Sequence, residues 1–350
     1  MQPRLKPGAF FRQCVGIDVA KETFTACLSM LDDEGCNTPS FEFHNNKTGF
    51  NQLVRWARKE ALKEYPLCFV MEPTGVYYEE LASHLLKLGY TVHVIPAKRV
   101  KSFAESEGYK TKTDKVDAYI LSMLGCQKRN LKPWKAPDPV MAEIRSLCRL
   151  RSDMVKIRTM LKNQIEAMEH SRFRSDKSLK ISKTALVAIE KNISVAEKEI
   201  SGQTAKCDNF KELLPYAVSV PGIGEITATA ILAETACFRD FASQRQLVSF
   251  AGLDVVARQS GPHDPRRHIS KKGNTAIRAM LYICAMSAIT HYEEIRSFYN
   301  RIKTSNPNGK VAMVAVMRKL LVLLYTVCKN KTTYDINFEK KNEEKENNDK

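Results

Sequence analysis

At 350 residues and 39.7 kDa the chain is long enough for two or three domains, and 43% hydrophobic content is enough to bury a core in each. Fifty-five lysines and arginines against 39 aspartates and glutamates leave a formal charge of +16, which favours a polyanionic partner, nucleic acid first and an anionic membrane second. The membrane is excluded on its best segment, since Val311 to Cys328 carries Arg318 and Lys319 at its centre, where charge is costly in lipid; a buried helix is expected there instead.

The N-terminal MQPRLKPGAFFRQC lacks an apolar core of signal-peptide length. CVGIDVA (14–20), TFTACLSML (23–31) and SFEFHN (40–45) are predicted strands, followed by a helix after Thr48. PLCFVMEP (66–73) and TVHVIP (91–96) are predicted buried strands, each followed by a helix. A meander and then strand–helix units give a mixed α/β sheet with helices on its faces.

From Val140 the apolar period changes to threes and fours, through Ile144, Leu147, Leu150, Met154, Ile157, Leu161, Ile165 and Met168. After the polar SRFRSDKS it resumes at Leu186, Ile189, Ile193, Ala196 and Ile200, which predicts two long helices in an antiparallel coiled coil, for dimerisation or spacing. A mainly helical region runs from about Asn209 to Asn330, with glycine turns at PGIG (221–224) and KKGN (271–274). The tail FEKKNEEKENNDK has no apolar residue after Phe338 and is expected to be disordered. Ten cysteines are scattered without a C-x-x-C pair, as befits reduced structural thiols in a cytoplasmic protein.

Four carboxylates stand out. Asp18 ends the first strand and Glu72 the fourth, each after an unbroken apolar run, so each must be solvated, paired or bound to metal. In YKTKTDKVDAYI, Asp114 and Asp117 are three apart and share one helix face, beside Lys110, Lys112 and Lys115. Four acids from two strand ends and one helix suit a pair of Mg²⁺ ions serving phosphodiester chemistry, with the lysines on the phosphate backbone. The plainer reading keeps strand-end acids as turn formers and the two aspartates as partners of the helix dipole.

LLPYAVSVPGIGEITATAILAE reads as helix, turn and helix, with Gly222 and Gly224 letting backbone N–H groups approach an anion. A dinucleotide fingerprint fails, because Thr227 stands at the third glycine and no strand precedes; a helix-hairpin-helix on DNA phosphates, or a plain helical turn, remains. The next segment holds Arg258, Arg266, Arg267, Lys271, Lys272 and Arg278 against the lone acid Asp264. Within it Ser260 precedes Gly261, a turn residue or a nucleophile helped by its cationic surroundings, with His263 and His268 as candidate bases or ordinary surface histidines.

Taken in order, GIDVAKETF, MEPTGVYYEEL, KTKTDKVDAYIL, LLPYAVSVPGIGEITATAILAE and GLDVVARQSG…ISKKGNTAIRAML resemble the DEDD transposases of the insertion sequence 110 family, including the insertion sequence 1111 branch, over residues 12 to 330. The resemblance implies α/β plus all-α architecture: a RuvC-like (RNase H-like) domain at 1–135, a coiled-coil connector at 136–206, a transposase domain with the helix-hairpin-helix at 207–330, and the charged tail at 331–350. Carried over by motif, the four metal-binding acids fall on Asp18, Glu72, Asp114 and Asp117 and the nucleophilic serine on Ser260, implying Mg²⁺ and a covalent phosphoserine link to DNA. It also implies a structured bridge RNA that pairs with target and donor DNA, homo-oligomers up to tetramers, and action in the cytoplasm of a prokaryotic cell, at the nucleoid. The loop GPHDPRRH departs from the family pattern in its prolines and His268. Two competitors remain: a RuvC-like junction-resolving nuclease that uses water, and a non-enzymatic nucleic-acid scaffold.

Overall fold

A computed structural model describes residues 12–31, 36–37, 39–111, 113–128, 130–256, 268–306 and 308–335, and the chain divides into two compact units between Ala136 and Pro137. The first is built on a six-stranded mixed sheet. Strand β1 (Arg12–Val19) pairs antiparallel with β2 (Thr23–Leu31), which also carries β3 (Cys36–Asn37) and β4 (Phe41–His44). After α1 (Lys47–Glu60), β5 (Leu67–Met71) lies parallel to β1; after α2 (Glu79–Lys87), β6 (Thr91–Val94) lies parallel to β5. Parallel neighbours need a crossover, and these two helices provide it.

Strands β1 and β2 are buried along nearly their whole length because helices cover both faces. On one face Val15, Ile17 and Val19 pack with Phe50 and Leu53 of α1 and Leu81 and Leu85 of α2. On the other, Cys14 and Val70 pack with Val100 and Phe103 of α3 (Ala97–Ser106) and Leu121 and Leu124 of α4 (Asp114–Gln127). The strand period of two divides β1 between these faces: odd positions meet α1 and α2, even positions meet α4.

The second unit is helical. Its α5 (Pro139–Glu169) starts on an Asp138 cap, with Pro139 in the first turn, and α6 (Asp176–Thr204) starts on a Ser175 cap. The pair runs antiparallel, crossed by Arg151–Glu197 at 2.7 Å, Lys162–Glu190 at 3.0 Å and Lys183–Glu169 at 2.6 Å, with Met154, Ile193 and Ala196 packed between. The root of α5, at Met141, Ile144 and Cys148, enters one core with α7 (Asp208–Val218), α8 (Glu225–Glu234), α9 (Gln244–Ala251), α10 (Thr275–His291), α11 (Glu293–Ser305) and α12 (Gly309–Asn330). Helix α12 is long and apolar enough to cross a membrane, yet Val316, Leu320, Leu321 and Leu324 are fully buried in that core. Of the expected tail, residues 331–335 are described: Lys331 pairs with Glu212, and Tyr334 donates its backbone N–H to Ser219 Oγ at 2.8 Å and its hydroxyl to Glu294 at 3.1 Å; residues 336–350 lie outside the described residues.

Candidate functional site

The candidate site in the first unit is set by one close packing. Gly16 of β1 lies against the backbone of α4 so tightly that a Cβ there would stand 2.1 Å from the Ala118 carbonyl oxygen and 2.2 Å from the Ser122 nitrogen. Near the strand's start, Gly125 of α4 lies over Cys14, where a Cβ would meet the sulfur at 2.2 Å. Helix α4 therefore runs antiparallel to β1, and its N-terminus lies toward the carboxyl end of the strand, where Asp18 sits.

Register brings the second acid to the same place. Ile17 is level with Met71 across the β1–β5 pair, so Asp18 and Glu72 each follow at the ends of adjacent parallel strands. Cys14 and Val70 face α4 and side chains alternate, so Asp18 and Glu72 continue that same face. On α4 the contacts with β1 fall at Ala118, Leu121, Ser122 and Gly125; Asp114 and Asp117 precede Ala118 and Leu121 by one turn and extend that stripe beyond the sheet.

Thr113 fixes the helix start, its hydroxyl accepting from Val116 N at 3.3 Å and its carbonyl from Asp117 N at 2.8 Å. Asn45 braces the same edge by donating to the carbonyls of Ala20 at 2.9 Å and Tyr77 at 3.1 Å. Asp18, Glu72 and Asp117 are half-buried and Asp114 is exposed. Ligand sites of open α/β sheets lie outside the carboxyl ends of parallel strands, and these acids occupy that position. Their carboxylate oxygens are the donors a hard divalent cation takes. Among the described residues, no three His, Cys, Asp or Glu side chains are grouped closely enough to share an ion, so the acids mark a common edge and do not form a closed coordination shell. Lys110 and Lys115 are exposed beside them; Lys112 lies outside the described residues.

In the second unit the two glycines of the hairpin turn differ. Gly222 has φ +76, and a Cβ there would come within 2.6 Å of the Cys284 carbonyl oxygen of α10, so it serves the turn and its packing. Gly224 is exposed, with open space around it, and caps α8. The basic loop rises from a two-residue ladder, β7 (Val255–Val256) with β8 (His268–Ile269), so the chain leaves at 256 and returns at 268 side by side. Arg258, Ser260, His263, Arg266 and Arg267 lie outside the described residues. The feet of the loop are fastened: Ser270 Oγ donates to Asp254 at 2.5 Å, Ser270 N to the Asp254 carbonyl at 2.9 Å, and Asn274 N to the Phe250 carbonyl at 2.8 Å. Lys271 and Lys272 stand exposed on the returning foot.

Sequence reading missed Glu234, which links these feet to α5. It receives Arg149 Nε and Nη2 at 2.6 and 2.8 Å and Asn274 Nδ2 at 2.7 Å, and Asn274 caps α10. Its only signal is an acid that follows the apolar run Ala230–Ala233 at the end of α8.

A family model described as transposase, of the DEDD insertion sequence 110 type, matches residues 15–169, and a second, described as the transposase IS116/IS110/IS902 family, matches 216–300. The two halves thus define a DNA transposase, an enzyme that cuts and rejoins DNA strands. The chain belongs to the insertion sequence 110 family, whose four acids imply dependence on a divalent metal. It is 26% identical to the pilin gene-inverting protein of Moraxella bovis over 92% of this chain and 97% of that one. It is 23% identical to a probable family 20 transposase of Pseudomonas aeruginosa, over 91% and 98%. The transposase for insertion sequence element IS1111A of Coxiella burnetii is 22% identical over 95% and 99%.

Proposed function

We propose that this transposase excises and inserts its own insertion sequence by Mg²⁺-dependent strand cleavage, with Ser260 as nucleophile and a structured bridge RNA as guide. The observation that carries the metal half is the convergence of Asp18, Glu72, Asp114 and Asp117 from three elements onto one sheet edge. Two bound Mg²⁺ ions would supply charge stabilisation for the attacked phosphate and the leaving oxygen. In the serine step, Ser260 Oγ loses its proton to a base or water and bonds to phosphorus. The bond from phosphorus to a deoxyribose oxygen breaks, and that oxygen takes a proton. A sugar hydroxyl of the new strand reverses the step and frees the serine, so the phosphoester conserves the bond energy and no nucleotide cofactor is needed.

Lys110, Lys112, Lys115, Arg258, Arg266, Arg267, Lys271 and Lys272 hold DNA phosphates, with backbone N–H groups at the Gly222–Gly224 turn acting as a helix-hairpin-helix. A RuvC-like domain at 1–135, a coiled-coil connector at 136–206 and a transposase domain at 207–330 divide the work. Homo-oligomers formed through the coiled coil bring the acids of one subunit to the serine of another. The enzyme works at the nucleoid of a prokaryotic cell. RNA guidance and assembly rest on the family resemblance.

The test recovers covalent protein–DNA adducts under denaturing conditions from cells carrying the gene in its native flanking DNA. Adducts at the element's ends are expected in wild type and absent in Ser260→Ala. Cleavage at those ends with no adduct in either protein would replace this mechanism with a nuclease that uses water.

A further inference from the structure

The turn between α5 and α6 carries a side chain that packing does not explain. Phe173 is 90% exposed, more than any other large apolar side chain among the described residues. The turn itself is well built. Ser171 Oγ accepts from Phe173 N at 3.3 Å, Ser171 N donates to the Met168 carbonyl at 3.3 Å, and Ser175 Oγ caps α6 through Ser178 N at 3.3 Å. The phenyl ring is therefore held outward by ordered backbone.

Its surroundings are cationic. The Arg172 guanidinium lies 6.0 Å from the ring centre, and Arg174, Lys177 and Lys180 are exposed nearby against the single acid Asp176, which takes one hydrogen bond from Arg174 at 2.9 Å. A protein-docking face would continue the apolar surface away from the ring, whereas here each flanking position is charged or a hydroxyl. An aromatic ring between arginines matches a nucleic acid, which offers base faces for the ring and phosphates on both sides for the cations. The ring is also placed at a distance: the stretch from Arg151 to His170 alone spans roughly 30 Å of helix, stiffened by the ion pairs that cross to α6.

We propose that this tip is a DNA contact, in which Arg172, Arg174, Lys177 and Lys180 hold backbone phosphates and the Phe173 ring wedges against a base step of the duplex. The inference rests on the chain's being a transposase, and is independent of Ser260 and of the four acids.

In the first experiment, p-benzoylphenylalanine replaces Phe173 in the full-length protein, which is irradiated on a duplex of the gene's native flanking DNA with RNA transcribed from the same region. A cross-link to the duplex is the expected result; a cross-link only to the RNA or to a second protein chain, or none, overturns the proposal. In the second, Phe173→Ala is expected to bind that duplex roughly tenfold more weakly, with an unchanged melting temperature, and Phe173→Trp to bind as wild type does. Equal affinity of Phe173→Ala and wild type would reject the wedge.

Discussion

Glu234 ends α8 with its side chain only 4% exposed, and two elements far apart in the chain donate to it. Burial pushes its carboxyl up, but the hydrogen bonds from Arg149 and Asn274 and the charges of Arg149 and Arg145 outweigh burial and hold it below the usual carboxylate range. A carboxyl whose folded pKa lies below its unfolded one adds stability above the unfolded value of about 4.3, and that stability is lost as pH falls through the folded pKa. Glu234→Gln should therefore cost about 2 kcal/mol at pH 7, a reduced figure because Arg149 keeps much of its solvent. It should cost little once the wild-type carboxyl is protonated. Urea unfolding over a descending pH series from 7 checks this: the loss should shrink as pH falls below about 4.3, and a loss that stays constant would show that charge is not the cause. Nothing in the sequence signals this pairing, since Arg149 and Glu234 are 85 residues apart and meet only because α5 packs on α8. The thiols are simpler: burial pushes Cys126, Cys148, Cys237 and Cys328 up to about 12, as fits structural cysteines.

At the scale of elements, the contact of β1 with α4 positions the site. Gly16→Ala drives a methyl group into three backbone atoms of α4, at Ala118, Leu121 and Ser122, and backbone cannot rotate away as a side chain can. The variant should unfold the first unit or lift α4 from the sheet, shifting Asp114 and Asp117 from Asp18 and abolishing strand cleavage. Gly202 on the exposed side of α6 has open space around its Cα, and Gly202→Ala should stabilise the protein by up to about 1 kcal/mol through helix propensity. Thermal melts of the two variants are the measurement, and a Gly16→Ala protein as stable and active as wild type would contradict the packing argument.

These elements also show what a sequence reveals. Strands β1 and β5 were legible because burial on both sides leaves unbroken apolar runs, β2 and β6 because apolar residues still dominate them among a few threonines, a serine and a histidine, and the long helical pair because its stripe keeps one period. The two-residue strands β3, β7 and β8 are too short for any period to appear. Asp114 and Asp117 were visible as one helix face, but that this face is the one turned to the sheet depends on Gly16, which in sequence is only a small residue in a strand. Arg12 and Gln13, polar yet part of β1, lay outside the apolar run; Gln13 is buried because it bonds the carbonyls of Leu62 and Tyr65 at 2.8 and 2.7 Å.

For the whole molecule, a net charge of +16 makes DNA affinity a function of salt. Each lysine that contacts a phosphate adds about 0.9 to the slope of log affinity against log salt. Replacing Lys271 and Lys272 by alanine should lower that slope by about 1.8 if both touch phosphates, with the losses shared across DNA sequences. Fluorescence titrations between 50 and 200 mM salt measure it, and an unchanged slope would remove the two lysines from the DNA surface.

The antiparallel helical pair also acts as a ruler. Ion pairs fix its two sides rung by rung, so its reach is set by the number of turns between root and tip. Removing one heptad from each helix keeps every remaining side chain on its own face and draws the tip in by ~10 Å, about three base pairs of duplex. Removing a number that is not a multiple of the repeat turns the tip to another direction. With the proposed DNA contact at Phe173, the length of this pair would set a spacing on the nucleic acid, one that can be altered in steps without touching the four acids or Ser260.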